Sequence, residues 1–323
     1  MCRKVFMGLL RLAGGMKAIA IRQYGGPEVV EYTDLPDPKV GPDSVLVQVR
    51  AAGVNPVDRK IREGLLDGAF DVHFPLIPGW DVAGVVRAVG GAVTEFAPGD
   101  EVIGYVRKDA VEHGTYAELV AAPVRTLARK PAALDWAQAG GLPLAGLTAY
   151  QSLVKALRVK AGETVLVHAA AGGVGHLAVQ IATAHGARVI GTAGPRNHDY
   201  LRELGAEPVA HGDGLADRVR ALAPDGVDAA LDLVGGDAVA ISAALVADPA
   251  RIASVADYGV AARGGHYVWG RPDTADLTAL ARLADEGRLT VTVASTFPLA
   301  QAASAQALNA EGRTRGKIVL LVD

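Results

Sequence analysis

A run of small and apolar residues near the middle of the chain, "HAAAGGVGHLAVQIA" over 168–182, restricts the fold more than any other segment. It joins the strand-like "TVLVHA" to a helix-like apolar period through Gly172, Gly173 and Gly175. Three readings compete: a phosphate-binding turn, a tightly packed piece of core, or a membrane span. Residues 165–187 contain no Asp, Glu, Lys or Arg, and roughly 20 such residues could cross a bilayer. The span fails on content. Glycines interrupt it, His168, His176 and Gln180 are spread along it, and the period changes from strand to helix at the glycines.

Gly173-Val-Gly175-His-Leu-Ala178 satisfies the G-x-G-x-x-G/A pattern of a dinucleotide site. In that scheme the first glycine permits the tight turn, the second lets a pyrophosphate approach the backbone, and Ala178 lets the helix lie close to the sheet. The free amides and positive dipole end of the helix then face the phosphates. Leu177, Ile181 and Ala184 share one helical face and Gly186 follows as a cap, so the spacing predicts a helix of about three turns. Glycines used only for close packing are the alternative.

The next strand, ending "GTAGPRNH", bears on which dinucleotide binds. An NAD site places an acid roughly 20 residues after the glycines to accept the ribose 2′-hydroxyl, and an NADP site replaces it with a cation. No acid precedes Asp199, and Arg196 stands where a 2′-phosphate could be clamped by paired charge-assisted hydrogen bonds. This favours NADPH. A solvated loop arginine is the alternative.

Around this turn the chain divides into three blocks. From 16 to about 143, short alternating runs such as "SVLVQVRAAGV", "DVAGVVRAVG" and "DEVIGYV" are separated by Gly, Pro and Asp clusters and predict a mostly β block. From 162 onward, apolar strands alternate with helical segments, which predicts a parallel sheet covered on both faces. The end of the chain returns to strand "LTVTVAS", helix "PLAQAASAQALNAEG" and strand "KIVLLV". Either the parallel sheet or the first β block could bury that last strand.

With 323 residues, 50% hydrophobic and 39 Gly, the chain is long enough for two cored domains. A formal net charge of -3 gives no basic field, which argues against nucleic acid or an anionic membrane and for a small metabolite as partner. The only cysteine is Cys2, so neither a disulfide framework nor a thiolate metal cage is expected, and a cytoplasmic location is the default. The start, "MCRKVFMGLLRLAGGMK", is too broken by Arg11 for a secretory signal and is read as an extension over 1–15.

A short-chain reductase would begin with the glycine turn and carry a Tyr-x-x-x-Lys pair, which this chain lacks. The order here, with "AAGVNPVDRKIREG", "PLIPGWDVAGVV", "PGDEVIG", "GTYAELV", "LPLAGLTAYQSL", "HAAAGGVG" and "GRTRGKIVLLV", resembles the medium-chain dehydrogenase/reductase superfamily. Within it, the chain is similar to the zinc-independent quinone oxidoreductase branch, the relatives of zeta-crystallin. The resemblance implies an α/β fold: a Rossmann doubly wound parallel sheet over 147–286, plus a β-rich GroES-like catalytic domain over 16–146 and 287–323. It also implies a homodimer paired at the sheet edge near "HYVWG".

Zinc-using relatives carry a cysteine ligand within the segment matching 53–58 and Gly-His-Glu where this chain has Gly79-Trp80-Asp81. Both ligands are absent, so no metal is expected and the reaction left is hydride donation from NADPH to an electron-poor quinone or enone. By the same resemblance Asn55 and Lys60 face the nicotinamide as candidate catalytic residues. They could equally brace a turn and sit in solvent, and Asp58 reads as a cap. Thr148 matches a residue near the cofactor, Ala171, Gly172, Gly173 and Val174 the pyrophosphate turn, and Gly194, Arg196 and His211 the adenosine end. Val255, Ala256, Val268, Trp269 and Gly270 match the nicotinamide side. Lys317 matches a residue reaching toward the cleft, with a strand-end surface lysine as the alternative. An enoyl or alkenal reductase, or a non-catalytic NADPH-binding protein, would share these motifs.

Overall fold

The computed structural model describes residues 15–323. The expected extension over 1–15, apart from Gly15, lies outside them, and so does Cys2.

The first block is β-rich as its alternation predicts. It contains β1 (Met16–Ala20), β2 (Glu31–Leu35), β3 (Ser44–Val54), β4 (Asp71–Ile77), β5 (Asp81–Val89), β6 (Glu101–Tyr105), β7 (Ala110–His113), β8 (Leu119–Pro123) and β9 (Leu127–Arg129). The helix α1 (Pro56–Arg62) leaves β3, and α2 (Trp136–Gly141) and α3 (Pro143–Tyr150) lead out of the block. In β3 the alternating residues Val45, Val47, Val49 and Ala51 are buried while Ser44, Leu46, Gln48 and Arg50 are only half-buried, the signature of a strand with one face on a core. A π-helical turn over Gln151–Ala156 continues α3, with the Ser152 hydroxyl donating to the Thr148 carbonyl at 2.7 Å.

The second block alternates as expected: β10 (Thr164–Val167), α4 (Gly175–Ala184), β11 (Arg188–Thr192), α5 (His198–Glu203), β12 (Ala206–Val209), α6 (Leu215–Leu222), β13 (Ala229–Asp232), α7 (Ala238–Ala243), β14 (Ile252–Ser254), α8 (Gly259–Ala262), β15 (His266–Tyr267) and α9 (Thr274–Asp285). The six strands are parallel in the order β12-β11-β10-β13-β14-β15. This is the doubly wound order with its switch point between β10 and β13, where open α/β sheets bind ligands beyond the carboxyl ends of the strands. The uncharged run over 165–187 is therefore β10, a turn and α4, buried between sheet and helices. Among the described residues no helix is long and apolar enough to cross a membrane.

The chain closes with β16 (Val293–Pro298), α10 (Ala302–Ala310) and β17 (Lys317–Leu321). The apolar β17 joins the first block, pairing antiparallel with β3 and parallel with β16 in a seven-stranded sheet. One expected boundary is wrong, because "LTVTVAS" begins at 289 while β16 begins at Val293. The N–H groups of 290 and 292 bond to α4, and only the Thr292 carbonyl reaches β17. The Thr290 N–H donates to Gln180 Oε1 at 2.8 Å, the Thr292 N–H to His176 Nε2 at 3.3 Å, and the Thr292 carbonyl accepts the Lys317 N–H at 2.8 Å. Side chains of α4 thus take the places of a strand partner.

Candidate active site

The glycine turn begins under strain. Ala169 has φ 50°, a left-handed conformation rare for a residue with a Cβ, and its N–H donates to Thr192 Oγ1 at 3.0 Å. The roles of the glycines shift from those expected. A Cβ on Gly175 would lie 2.3 Å from the Ala169 carbonyl oxygen, so the chain's own backbone already requires glycine there. Gly172 and Gly173 are the open ones, their nearest atoms at 3.3 and 3.4 Å. Ala178 is fully buried, as close helix–sheet packing needs.

A cavity of about 810 Å³ opens at the switch point. Ala171 and Gly172 line it after β10, Gly194 and Arg196 after β11, His211 after β12, and Val234 and Gly235 after β13. The structure thus brings five of the expected cofactor residues to one wall. Arg313 and Thr314, which the motif reading missed, line the same cavity from the lead-in to β17. Arg196 reaches toward them, its Nη2 donating to the Arg313 carbonyl at 3.1 Å, and Arg315 donates to Asn197 Oδ1 at 3.0 Å. The pair of arginines in "GRTRG" was the sequence signal. The carboxylates on the wall, Asp213 and Asp237, follow β12 and precede α7, so the second strand still ends without an acid.

Two contacts tie the turn to β17. The Gly316 N–H donates to the Ala171 carbonyl at 3.0 Å, and a Cβ on Gly173 would touch Lys317 Cδ at 3.4 Å. His176 fixes the far side. Its Nδ1 meets the Gly172 carbonyl at 3.0 Å while Nε2 accepts the Thr292 N–H, and burial pushes its pKa down to about 4, so it is the neutral ring with hydrogen on Nδ1. Val174 is half-buried at the entry to α4.

Lys317 is only 3% exposed, which removes the surface-lysine alternative. Its Nζ donates to Asn55 Oδ1 at 2.6 Å and lies 3.9 Å from Asp81 Oδ2. Asp81 also accepts from Asn55 Nδ2 at 2.8 Å and from the Leu144 N–H at 2.6 Å. Burial pushes the Asp81 carboxyl up and the Lys317 ammonium down, and each group opposes the other's shift. Asp58 caps α1 by accepting the Asn55 N–H at 2.8 Å and holds the Tyr116 hydroxyl at 2.8 Å. Burial raises its pKa to about 7 against those two donors.

Asn55 is therefore a cap and a bridge with both polar ends occupied. Lys60 lies exposed on α1, outside the buried cluster. A divalent cation does not fit among these residues, because Trp80 offers no donor toward the cluster and an internal ammonium already faces Asp81. Among the described residues no group of three or more His, Cys, Asp and Glu is placed to hold a metal ion.

Beyond the cluster, Tyr105 stands opposite Asp81 in the β5–β6 register. Its ring is 6.0 Å from Trp80, Trp80 is 5.8 Å from Phe70, and Phe70 is 6.1 Å from Trp269. Gly270 abuts Thr148, since a Cβ there would be 2.6 Å from Thr148 Oγ1. Gln151 holds the following turn by exchanging hydrogen bonds with the Arg271 backbone at 3.0 Å each way. Val255 and Ala256 leave the end of β14, and the Val268 N–H bonds the Ser254 carbonyl at 2.8 Å. Phe70 carried no motif signal, and Tyr105 and Gln151 lay inside the runs "DEVIGYV" and "LPLAGLTAYQSL" with nothing to single them out.

Two family profiles match this architecture, an alcohol dehydrogenase GroES-like domain at residues 41–132 and a zinc-binding dehydrogenase at residues 204–320. A chloroplast envelope quinone oxidoreductase homolog of Arabidopsis thaliana is 30% identical over 94% of this chain and 98% of its own length. The NADPH-dependent alkenal/one oxidoreductase of the same plant is 40% identical over 68% of this chain and 58% of its own length. The matched part spans about half the length of several other curated relatives. The structure of the quinone oxidoreductase from Coxiella burnetii superposes with a TM-score of 0.83 at 35% identity, covering 95% of this chain and 99% of that one. The fold and the arrangement of the site are those of the two-domain dinucleotide-dependent dehydrogenases. The chain belongs to the medium-chain dehydrogenase/reductase superfamily and groups there with the quinone oxidoreductases.

Proposed function

We propose that the protein is a zinc-independent, NADPH-dependent oxidoreductase that reduces a quinone or a similar electron-poor carbonyl acceptor. The observation that carries this reading is continuity. An adenosine-end cavity rimmed by Arg196 and Arg313 reaches Gly172, the neighbouring Gly173 abuts Lys317, and Lys317 faces Asp81, which stands opposite Tyr105 of the aromatic group. When bound, the cofactor supplies a hydride, which with one proton from solvent completes the two-electron reduction of a quinone to a hydroquinone, or of an enone across its double bond.

The chain's own residues bind and orient. Arg196, with Arg313 beside it, meets the 2′-phosphate, while Ala171, Gly172 and the N-terminal amides of α4 meet the pyrophosphate. Lys317 and Asp81 lock Asn55, so the segment facing the nicotinamide is rigid and hydride transfer gains from orientation and water exclusion. The working domain division is 16–146 with 287–323, and 147–286. The protein acts in the cytoplasm as a homodimer paired at β15, where Tyr258, 67% exposed, stacks on Tyr267 at 3.9 Å.

Tryptophan quenching titrations test the cofactor, with NADPH binding at least tenfold tighter than NADH. Steady-state turnover of 1,4-naphthoquinone against an aryl enone tests the acceptor. Enone-only turnover would replace the quinone reading with the alkenal reductase one, and tight NADPH binding with no turnover of either would leave a binding protein.

A further inference from the structure

Among the arginines, Arg129 meets Asp100 and Arg251 meets Glu163, whereas Arg107 meets rings. It follows β6, half-buried, with its guanidinium carbon 5.9 Å from the centroids of both Phe70 and Tyr105. Its Nε is buried and has no hydrogen-bond partner, and no carboxylate among the described residues pairs with the group. The guanidinium is felt by the neighbouring hydroxyl, since burial drives the Tyr105 phenol upward while Arg107 pulls it back. A half-buried cation held against aromatic faces, with no carboxylate partner, keeps its hydrogen-bond fork available to an anionic ligand.

Trp80 and Tyr105 are core side chains, 5% and 2% exposed, so the half-buried Phe70 and Trp269, tilted by 40° to each other, are the rings that can wall a site beside Arg107. Walls of this kind suit a flat conjugated molecule, and a guanidinium fork beside them suits an anionic oxygen group by paired hydrogen bonds. We propose that Arg107 is the specificity-determining residue of the acceptor site. The preferred acceptor is then a planar quinone or enone that carries an anionic substituent such as a carboxylate. The proposal rests on the reductase reading for turnover, but the binding it describes can be measured without it.

The test compares 1,4-naphthoquinone-2-sulfonate with 1,4-naphthoquinone in the wild type, Arg107→Met and Arg107→Lys. Comparing each variant with the wild type cancels the intrinsic reactivities of the two quinones. Arg107→Met should lower kcat/KM for the sulfonate about 10- to 100-fold, the range of a charge-assisted contact, and for the neutral quinone only a few fold. Arg107→Lys should recover part of the loss, because it keeps the charge and loses the fork. An unaltered NADPH affinity reports an intact fold. Tryptophan quenching by the sulfonate in the presence of NADP gives Kd independently of turnover. A selective loss of binding in Arg107→Met when the wild type reduces neither quinone would end the reductase reading and keep the site. Equal losses for both quinones, in rate and in Kd, would overturn the proposal.

Discussion

The proposed adenosine end and the proposed acceptor end of this cleft are built from different materials. The first is a cavity whose turns are small residues: Ala171, Gly172, Gly194 and Gly212 line it, with Arg196 and Arg313 as its cations and Asp213 and Asp237 as its carboxylates. The second is made of side chains gathered from distant positions, with Asn55, Asp58, Asp81 and Lys317 buried in one network and Phe70, Trp80, Tyr105 and Trp269 in an aromatic group. Backbone sites tolerate side-chain change at their rim but no added atom at their turns. The polar side-chain network inverts this, because each of its members is buried and fails when its partner is removed.

The sharpest way to break the comparison is Lys317→Met. It leaves Asp81 buried beside a methionine, and removing one partner of a buried charge pair costs about 3–5 kcal/mol. Urea unfolding should show that loss, and Lys317→Met with Asp81→Asn should restore much of it, since no unpaired charge is then buried. An additive double variant would mean that the two groups do not act as a pair.

His176 belongs to the turn and yet behaves like the buried network, which pH can expose. Its pKa is about 4 in the fold against 6.5 in the unfolded chain, so the unfolded state takes up the proton first as pH falls. The stabilisation is complete above pH 6.5 and is lost progressively toward pH 4, about 3 kcal/mol in all. His176→Gln removes this titration, so the wild type should lose stability relative to the variant over that interval. Other groups cancel in the difference, and parallel pH profiles would contradict the assignment.

The same division explains what could be read from the residues alone. The glycine turn, the alternation of strands and helices, and the acid-free end of β11 are local patterns, and each maps onto the cavity in the structure. The roles within the turn were less legible, because whether Gly175 serves a ligand or the Ala169 carbonyl depends on how the turn folds back. The strand expected at 289 failed for a long-range reason, since Gln180 and His176 lie more than a hundred residues upstream. Phe70 and Arg107 carry no pattern and Tyr105 only that of its strand run, and the contacts of Arg107 with both rings are what make them neighbours. Lys317 lay between these cases: its motif placed it near the cleft, and only tertiary structure could show it buried.

At the rim of the backbone site the expected effect is smaller and selective. Arg196→Ala should weaken NADPH by about 1.5–3 kcal/mol, the worth of a hydrogen bond to a charged group, and leave NADH nearly unchanged. Isothermal titration with both cofactors would show it, and equal weakening of the two would mean that Arg196 does not read the 2′-phosphate. Arg313→Ala should act in the same direction and less than additively, because the two arginines share the cavity wall.

The smallest effect separates strain from contact within the turn itself. Ala169 holds φ 50°, a conformation that costs a residue with a Cβ about 1–2 kcal/mol and costs glycine nothing. Glycine also loses more entropy on folding, about 0.5–1 kcal/mol, so Ala169→Gly should stabilise the fold by under about 1 kcal/mol. Its consequence for the cofactor should have the opposite sign. The strained residue aims its carbonyl at Gly175 and its N–H at Thr192, and freeing it lets the turn sample shapes in which Gly172 and the α4 amides no longer converge. Denaturant titration and NADPH binding measured on one variant should then diverge, with stability slightly up and affinity slightly down. A loss of both would show that the Ala169 methyl contributes packing rather than strain.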